Sequence, residues 1–450
     1  MGGNRRFYVD ADWGNDKNSG QEEGKAWKTL ERLQKIHFAP GDKIYLKRGC
    51  QWKGMFSPKG SGSEETPIIL ETYGTGKRPV IDGAGAYAAV YLNGVSHWMI
   101  RGIHAKNRAD IRRVRQGICV MGKPIGITKH IWIEDCEISE VDGENRRELR
   151  FYESMYWNGG IYVSMPGRSS KENHLHDVVI YNNFIHDVRT SGIRVNQQED
   201  FINDIHHTHV VIKGNRVERT GSDGIIVANC VSPLIDSNRC LDAGMLGNKE
   251  ETKVIAGIWV CATSHALIQY NEVARTRLFD NDGTAFDTDW GTEGSTIFQY
   301  NYSHDNEGGF WLDCIGLNRN LKSERTILRY NISCNDGRCI IQGDTGIGAD
   351  LYGNLLIHTE GNLSACDGKE GISHHFFGNI FDETTDVHMN WKKCSYWNNW
   401  YTSDPINKDR FNSLQIRKWA KEKYWEKWKN GKDWEFDETL KIMKQLAEEI

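Results

Sequence analysis

Proline is scarce in this chain, 8 among 450 residues, which argues against a proline-rich disordered tract. Basic excess is missing too: the formal net charge is -5 and the isoelectric point near 6.4. That removes any general attraction to polyanions, and nucleic acid is not an expected partner. Long apolar runs are also lacking, since no stretch of about 18 apolar residues exists to span a bilayer and no membrane partner is expected. The opening MGGNRRFYVD holds no apolar core of a secretory signal, so the compartment stays open. No CxxC pair occurs among the 11 cysteines, and Cys119, Cys261, Cys314 and Cys339 sit inside apolar runs. They read as small core residues, not as disulfide partners or metal ligands. What the chain does have is 46 glycines and 16 tryptophans, a composition rich in turns and in rings on which sugars can stack.

One phrase recurs, a β-rich run ending in asparagine: VVIYNNF, VVIKGNR, PLIDSNR, ALIQYNE, TIFQYNY, TILRYNI, DLYGNLL and HFFGNIF, which place Asn183, Asn215, Asn238, Asn271, Asn301, Asn331, Asn354 and Asn379. Their separations of 32, 23, 33, 30, 30, 23 and 25 residues are too uneven for a helical solenoid but suit β-coils whose turns accept insertions. A second phrase accompanies each coil, as in NGGIYVS, TSGIRVN, SDGIIVA, IAGIWVC, GTAFDTD and EGGFWLD. Two short strands per period, with glycine before one and asparagine after the other, predict an all-β fold: a single-stranded right-handed parallel β-helix. Stacking would align the asparagines into an internal ladder. By that reading Asn301 and Asn331, in NYS and NIS, are ladder residues and not glycosylation acceptors.

The opening FYVDADWGNDKNSG, AWKTLERLQ, PGDKIYLKRG and PIILETYGTGKRPVIDG resembles the start of bacterial β-helix carbohydrate-active enzymes. With the repeats, the resemblance covers residues 7 to about 400. It implies a glycoside hydrolase or polysaccharide lyase, and a short helix near 26–36 that caps the open coil. The Asp-rich phrase resembles β-helix glycosidases such as glycoside hydrolase families 120 and 141. The expected domain is therefore 1–400. Residues 401–450 are charged and helical in period, with Ile416, Ala420, Tyr424 and Trp428 on one stripe, and read as a helical cap or packing segment.

Strand residues alternate between core and exterior. Phasing Phe286/Thr288 and Phe310/Leu312 inward, as Ile258/Val260 are, predicts an outward column of Tyr162, Arg194, Ile226, Trp259, Asp287, Trp311 and Ile341. Beside it would run Ser164, Asn196, Ala228, Cys261, Asp289, Asp313 and Gly343. Neighbouring coils lie about 4.8 Å apart and alternate residues about 6.6 Å apart, so Asp287, Asp289 and Asp313 should crowd within roughly 5 to 8 Å. Such crowding raises at least one carboxyl pKa, as a general acid requires. Carboxylates about 5 to 5.5 Å apart suit a retaining glycosidase and about 6.5 to 9.5 Å an inverting one; the spacing leaves both open.

Glu307, in the turn before Gly308, is a further candidate acid. Trp259, Trp311, Arg194 and Asp344 are candidate substrate contacts, with Asp223 nearby, while Asp282 reads as an Asx-turn residue. His186 and His304 each follow a ladder asparagine by three residues and read as turn residues. The cluster His206, His207 and His209 lacks zinc-ligand spacing. Insertions carrying Arg150, Tyr152, Tyr156 and Trp157 are expected to shape sugar subsites. The expected function is hydrolysis of a poly- or oligosaccharide through an Asp-based acid/base or nucleophile pair, with no cofactor required and Ca²⁺ as the alternative use of the Asp cluster. The runner-up is a polysaccharide lyase, disfavoured because bases in the outward columns are few, and the third reading is a non-catalytic carbohydrate-binding β-helix.

Overall fold

The computed structural model describes residues 4–145, 157–199, 204–248, 250, 252, 255–280, 282–314, 324–338, 340–342, 347–358, 374–383, 395–397 and 399–401. Among these, the strands form three parallel sheets of 15, 13 and 9 strands. From Ala88–Asn93 to Ile340–Gln342 successive coils donate a strand to each sheet in turn, and the coils at either end feed the first two sheets: this is a parallel β-helix. The sequence suggests two strands per period and the structure has three. The extra one hides inside the asparagine phrase, because in ALIQYNEVA the strand Leu267–Gln269 belongs to the first sheet and Glu272–Ala274 to the second, with only Tyr270 and Asn271 between.

That two-residue corner explains the asparagines. The residue before each one takes a left-handed backbone: φ is 56° at Tyr270, 55° at Tyr300 and 56° at Tyr330, and 65° where Gly214 fills the place. A bulky residue there is strained, and the ladder offsets the strain. The Asn271 side-chain amide donates to the Ile235 carbonyl at 3.0 Å and to Asn301 Oδ1 at 3.0 Å, while its own Oδ1 accepts from the Asn238 backbone at 2.8 Å and side chain at 3.0 Å. The same pattern runs from Asn183 through Asn379 and on to Asn399, one coil further than the repeat shows. Asn301 and Asn331 are buried in it.

Glycine marks a second corner, where the chain enters the third sheet. A Cβ at Gly224 would stand 1.9 Å from Cys240 Sγ, so only hydrogen fits. The interior is filled by one continuous apolar cluster, including Ile131, Val178, Ile212, Ile258, Phe286, Phe298 and Phe376. At the N-terminal end the helix is a single turn, Leu30–Leu33, capped by the Thr29 hydroxyl. It is shorter than the expected 26–36 because Trp27 is drawn into a bridge with Val9 and its backbone N–H bonds to the Tyr8 carbonyl. Leu30 and Leu33 close the core. The stripe Ile416, Ala420, Tyr424 and Trp428 lies outside the described residues.

Candidate active site

The sheets differ in what covers them. Strand Leu175–Tyr181 of the first sheet alternates between buried and exposed, whereas Gly159–Met165, Ala256–Cys261, Thr284–Thr288 and Gly309–Asp313 of the third are buried at every residue. A parallel sheet buried on both faces normally reads as apolar throughout. Here the outer face carries charge.

Register fixes which residues share that face. One column runs Tyr91, Cys119, Tyr162, Arg194, Ile226, Trp259, Asp287, Leu312 and Ile341. Asp289 lies two residues beyond Asp287 on the same side. The expected column fails after Asp287: Phe286 pairs with Trp311, Asp287 with Leu312 and Thr288 with Asp313. The register is already set before the strand begins: the Gly308 N–H bonds to the Gly283 carbonyl and Gly309 pairs with Thr284, so Phe310 stands opposite Ala285 and Trp311 opposite Phe286. Trp311 is consequently a core residue, its indole N–H donating to Thr288 Oγ1 at 3.1 Å. Asp313 follows Thr288 and Val260 in the inward column, where Oδ2 accepts the Gly348 N–H at 2.8 Å.

The acidic group on the outer face is larger than the two carboxylates this leaves. Asp223 and Asp282 lie close enough to Asp287 and Asp289 for their charges to act on both. Asp282 makes no Asx turn; its backbone N–H bonds to the Phe279 carbonyl, and its carboxyl is pushed up to about 7 by burial and the nearby charge of Asp223, against the pull of Arg338. Asp289 is also pushed up to about 7, chiefly by burial, although the Trp290 N–H donates to its Oδ1 at 2.9 Å and favours the anion. Asp287 is held well above the carboxylate range by burial and by Asp289, Asp282 and Asp223. Among the described residues its Oδ1 is buried without a hydrogen-bond partner, a setting that disfavours the charged form. No ion pair reaches Asp287 or Asp289 among the described residues.

The other candidates have different surroundings. Arg194 is fully buried: it donates to Ser191 Oγ at 2.9 Å and stands 3.8 Å from Asp223. Asp223 in turn accepts the Trp259 indole N–H at 2.8 Å and the Ala256 N–H at 3.2 Å. Trp259 is therefore locked under cover, packed with Ile226, Ala228 and Cys261, and the half-buried rings against that cluster are Trp157 and Trp290. Those two are the better-placed rings for a sugar. Trp290 directly follows Asp289, so DTDW carries the ring beside the carboxylate. Glu307 accepts from Arg277 Nη1 at 2.6 Å and the Leu278 N–H at 2.8 Å, which ties it to the turn. Asp344, Arg150, Tyr152 and Tyr156 lie outside the described residues.

His186 and His304 sit on the second sheet, where His304 binds Asp305 at 2.7 Å and Glu272 at 3.3 Å. Among the described residues, three metal-ligating side chains converge at Asp10, Asp12 and Cys50, where Lys47 Nζ already lies 2.6 Å from Asp10. Asp282, Asp287 and Asp289 make no such threefold group, and the calcium reading gains nothing from their geometry.

No family model matches this chain. It is similar to a lacto-N-biosidase of Bifidobacterium longum subsp. longum, 24% identical over 87% of this chain, and spans 29% of that protein's length. Among solved structures it is similar to the GH136 lacto-N-biosidase of Eubacterium ramulus, in its native form with 23% identity and a TM-score of 0.66, covering 88% of this chain and 68% of that one. The selenomethionine derivative of the same protein gives 24% identity and the same TM-score of 0.66, with 88% and 67% covered. The resemblance to β-helix carbohydrate-active enzymes holds, and the two solved relatives are glycosidases of family 136.

Proposed function

We propose that this chain is a glycoside hydrolase acting on an oligosaccharide, and that Asp282 and Asp289 are its working carboxylates. The observation that carries the reading is the acidic group on the outer face of the third sheet, where Asp287 and Asp289 are buried beside Asp282 and Asp223 and, among the described residues, no ion pair reaches Asp289; this crowding pushes Asp282 and Asp289 up to about 7. The similarity to lacto-N-biosidases over most of this chain supports the activity class.

The roles follow from the hydrogen bonds. Among the described residues no backbone N–H stabilises the Asp282 anion, so it keeps a proton and serves as general acid to the leaving oxygen. Asp289 receives the Trp290 N–H, which favours its anion and suits it to act as nucleophile or as base toward water. Asp287 stays protonated between them and donates a hydrogen bond to a sugar hydroxyl. Trp290 and Trp157 offer ring faces to the sugar. Asp313 supports the coil from within. The reaction drawn here needs no metal.

The test is turnover of a panel of chromogenic glycosides, a lacto-N-bioside among them, by wild type, Asp282→Asn and Asp289→Asn. Release of the chromophore by wild type and its loss in both variants is expected. Unsaturated uronate absorbance from an acidic glycan would identify a lyase instead, and glycan binding without turnover, retained in both variants, would leave a binding protein.

A further inference from the structure

Asp289 has an unusual pair of neighbours. Because Val260 pairs with Thr288 and Thr288 with Asp313, the residues one step on are Cys261, Asp289 and Cys314, stacked on three successive coils. The Asp289 N–H bonding to the Val260 carbonyl at 2.8 Å and the Cys314 N–H bonding to the Thr288 carbonyl at 2.9 Å continue the two ladders through these positions. Neighbours in a parallel sheet are about 4.8 Å apart, so a thiol stands directly before and directly after the carboxylate. Both cysteines are reduced, Cys261 buried and Cys314 partly so. The Cys261 Sγ is turned to the Trp290 carbonyl at 3.4 Å, and the same carbonyl accepts the Ala262 N–H at 2.7 Å. Those bonds pin the turn that aims the Trp290 N–H at Asp289.

A thiol packs like a small apolar group and is a weak donor, whereas a hydroxyl of similar size would bond strongly to a carboxylate. Building on the proposed role of Asp289, we infer that Cys261 and Cys314 are positioning residues: they occupy the neighbouring strand positions before and after this carboxylate, from which a side chain could donate to it, and withhold the donor. Among the described residues, the other charged groups around Asp289 are Asp287, Asp282 and Asp223, with Asp313 behind Asp287, Arg338 against Asp282 and Arg194 against Asp223. None of these is a donor to Asp289. The thiols themselves are pushed well up by burial and by Asp289 and Asp287, so they stay neutral and inert as nucleophiles.

The experiment compares Cys261→Ser and Cys314→Ser with Cys261→Ala and Cys314→Ala. Two quantities are read: the titration of Asp289 by carboxyl ¹³C resonances, assigned through Asp289→Asn, and the acid limb of kcat/KM against pH on the chromogenic glycoside. Each serine is expected to lower the Asp289 midpoint by about one pH unit by adding a hydrogen bond to the anion, and the acid limb should follow. Each alanine should leave both within a few tenths. Equal midpoints in the serine, alanine and wild-type proteins would overturn the inference, as would alanine variants that move as far as serine ones. Should no glycoside be turned over, the proposed function fails, yet the ¹³C titration still decides the role of the cysteines.

Discussion

Two columns of polar side chains run through this solenoid on opposite terms. In the asparagine ladder every amide between Asn183 and Asn379 finds donors and acceptors on the coils before and after. On the third sheet Asp287 and Asp289 are buried and Asp282 beside them is half-buried, but they repel one another and, among the described residues, Asp287 Oδ1 has no partner. Buried polar groups that are satisfied hold a structure together, and those that are not must be kept for another reason. The first column is structure, and the second is, on the proposed function, the reactive group.

The largest effect expected from breaking this contrast is on catalysis. Asp289→Asn or Asp282→Asn should lower kcat by about 10³-fold or more, since general acid–base and nucleophilic contributions of that size are usual, while Asn271→Ala should leave kcat within a few-fold. Stability should sort the opposite way. Asn271→Ala removes the acceptor of Asn238 and the donor to Ile235 and Asn301, and urea unfolding should show a loss of about 3 kcal/mol from unsatisfied buried groups. A ladder variant that lost turnover but not stability would erase the distinction.

The asparagine ladder was legible because it repeats: a polar residue after each apolar run has one simple explanation in stacked coils. The second sheet was not, because its strands begin one residue after the asparagine and share its phrase. Asp287 and Asp289 were placed on the outer face correctly by extending the Ile258/Val260 alternation. Trp311 and Asp313 fall on the other face because EGGFWLD aligns with the earlier phrases by its glycine, whereas the register sets Phe310, not Gly309, opposite Ala285. Asp282 was read from its own turn, yet its environment is made by Asp223, 59 positions earlier, and no local pattern reports that proximity.

A smaller effect sharpens the comparison from the acidic side. The Asp289 carboxyl rises from 3.8 to about 7 on folding, so the folded state resists its ionisation. The sign follows: the penalty is absent below about pH 4, grows as pH rises toward 7, and is constant above. Asp289→Asn keeps an oxygen for the Trp290 N–H and removes the charge. At pH 8 it should unfold at higher urea than wild type, by on the order of 2 kcal/mol after local relaxation, and at pH 4 the two should coincide. An asparagine variant less stable than wild type at pH 8 would mean that the cluster is held by interactions, not merely tolerated.

The smallest effect lies on the second sheet, where charge is paired. Burial alone would lower the His304 pKa, but hydrogen bonds to Asp305 and Glu272 outweigh it and raise the group from 6.5 to about 9. A raised histidine stabilises the fold fully below its unfolded value and loses that contribution as pH climbs through the folded one. Wild-type stability should therefore fall by about 1 kcal/mol between pH 7 and 9.5 through this group, in the range where the Asp289 penalty is already complete. His304→Gln should flatten that decline and leave the Asp289 step between pH 4 and 7 untouched. The two titrations then separate along one urea series, with the paired cation losing its contribution in alkali and the unpaired carboxyl imposing its penalty as acid is withdrawn. Coincident changes in both windows on mutating His304 would show the two sheets to be electrostatically linked through the coil.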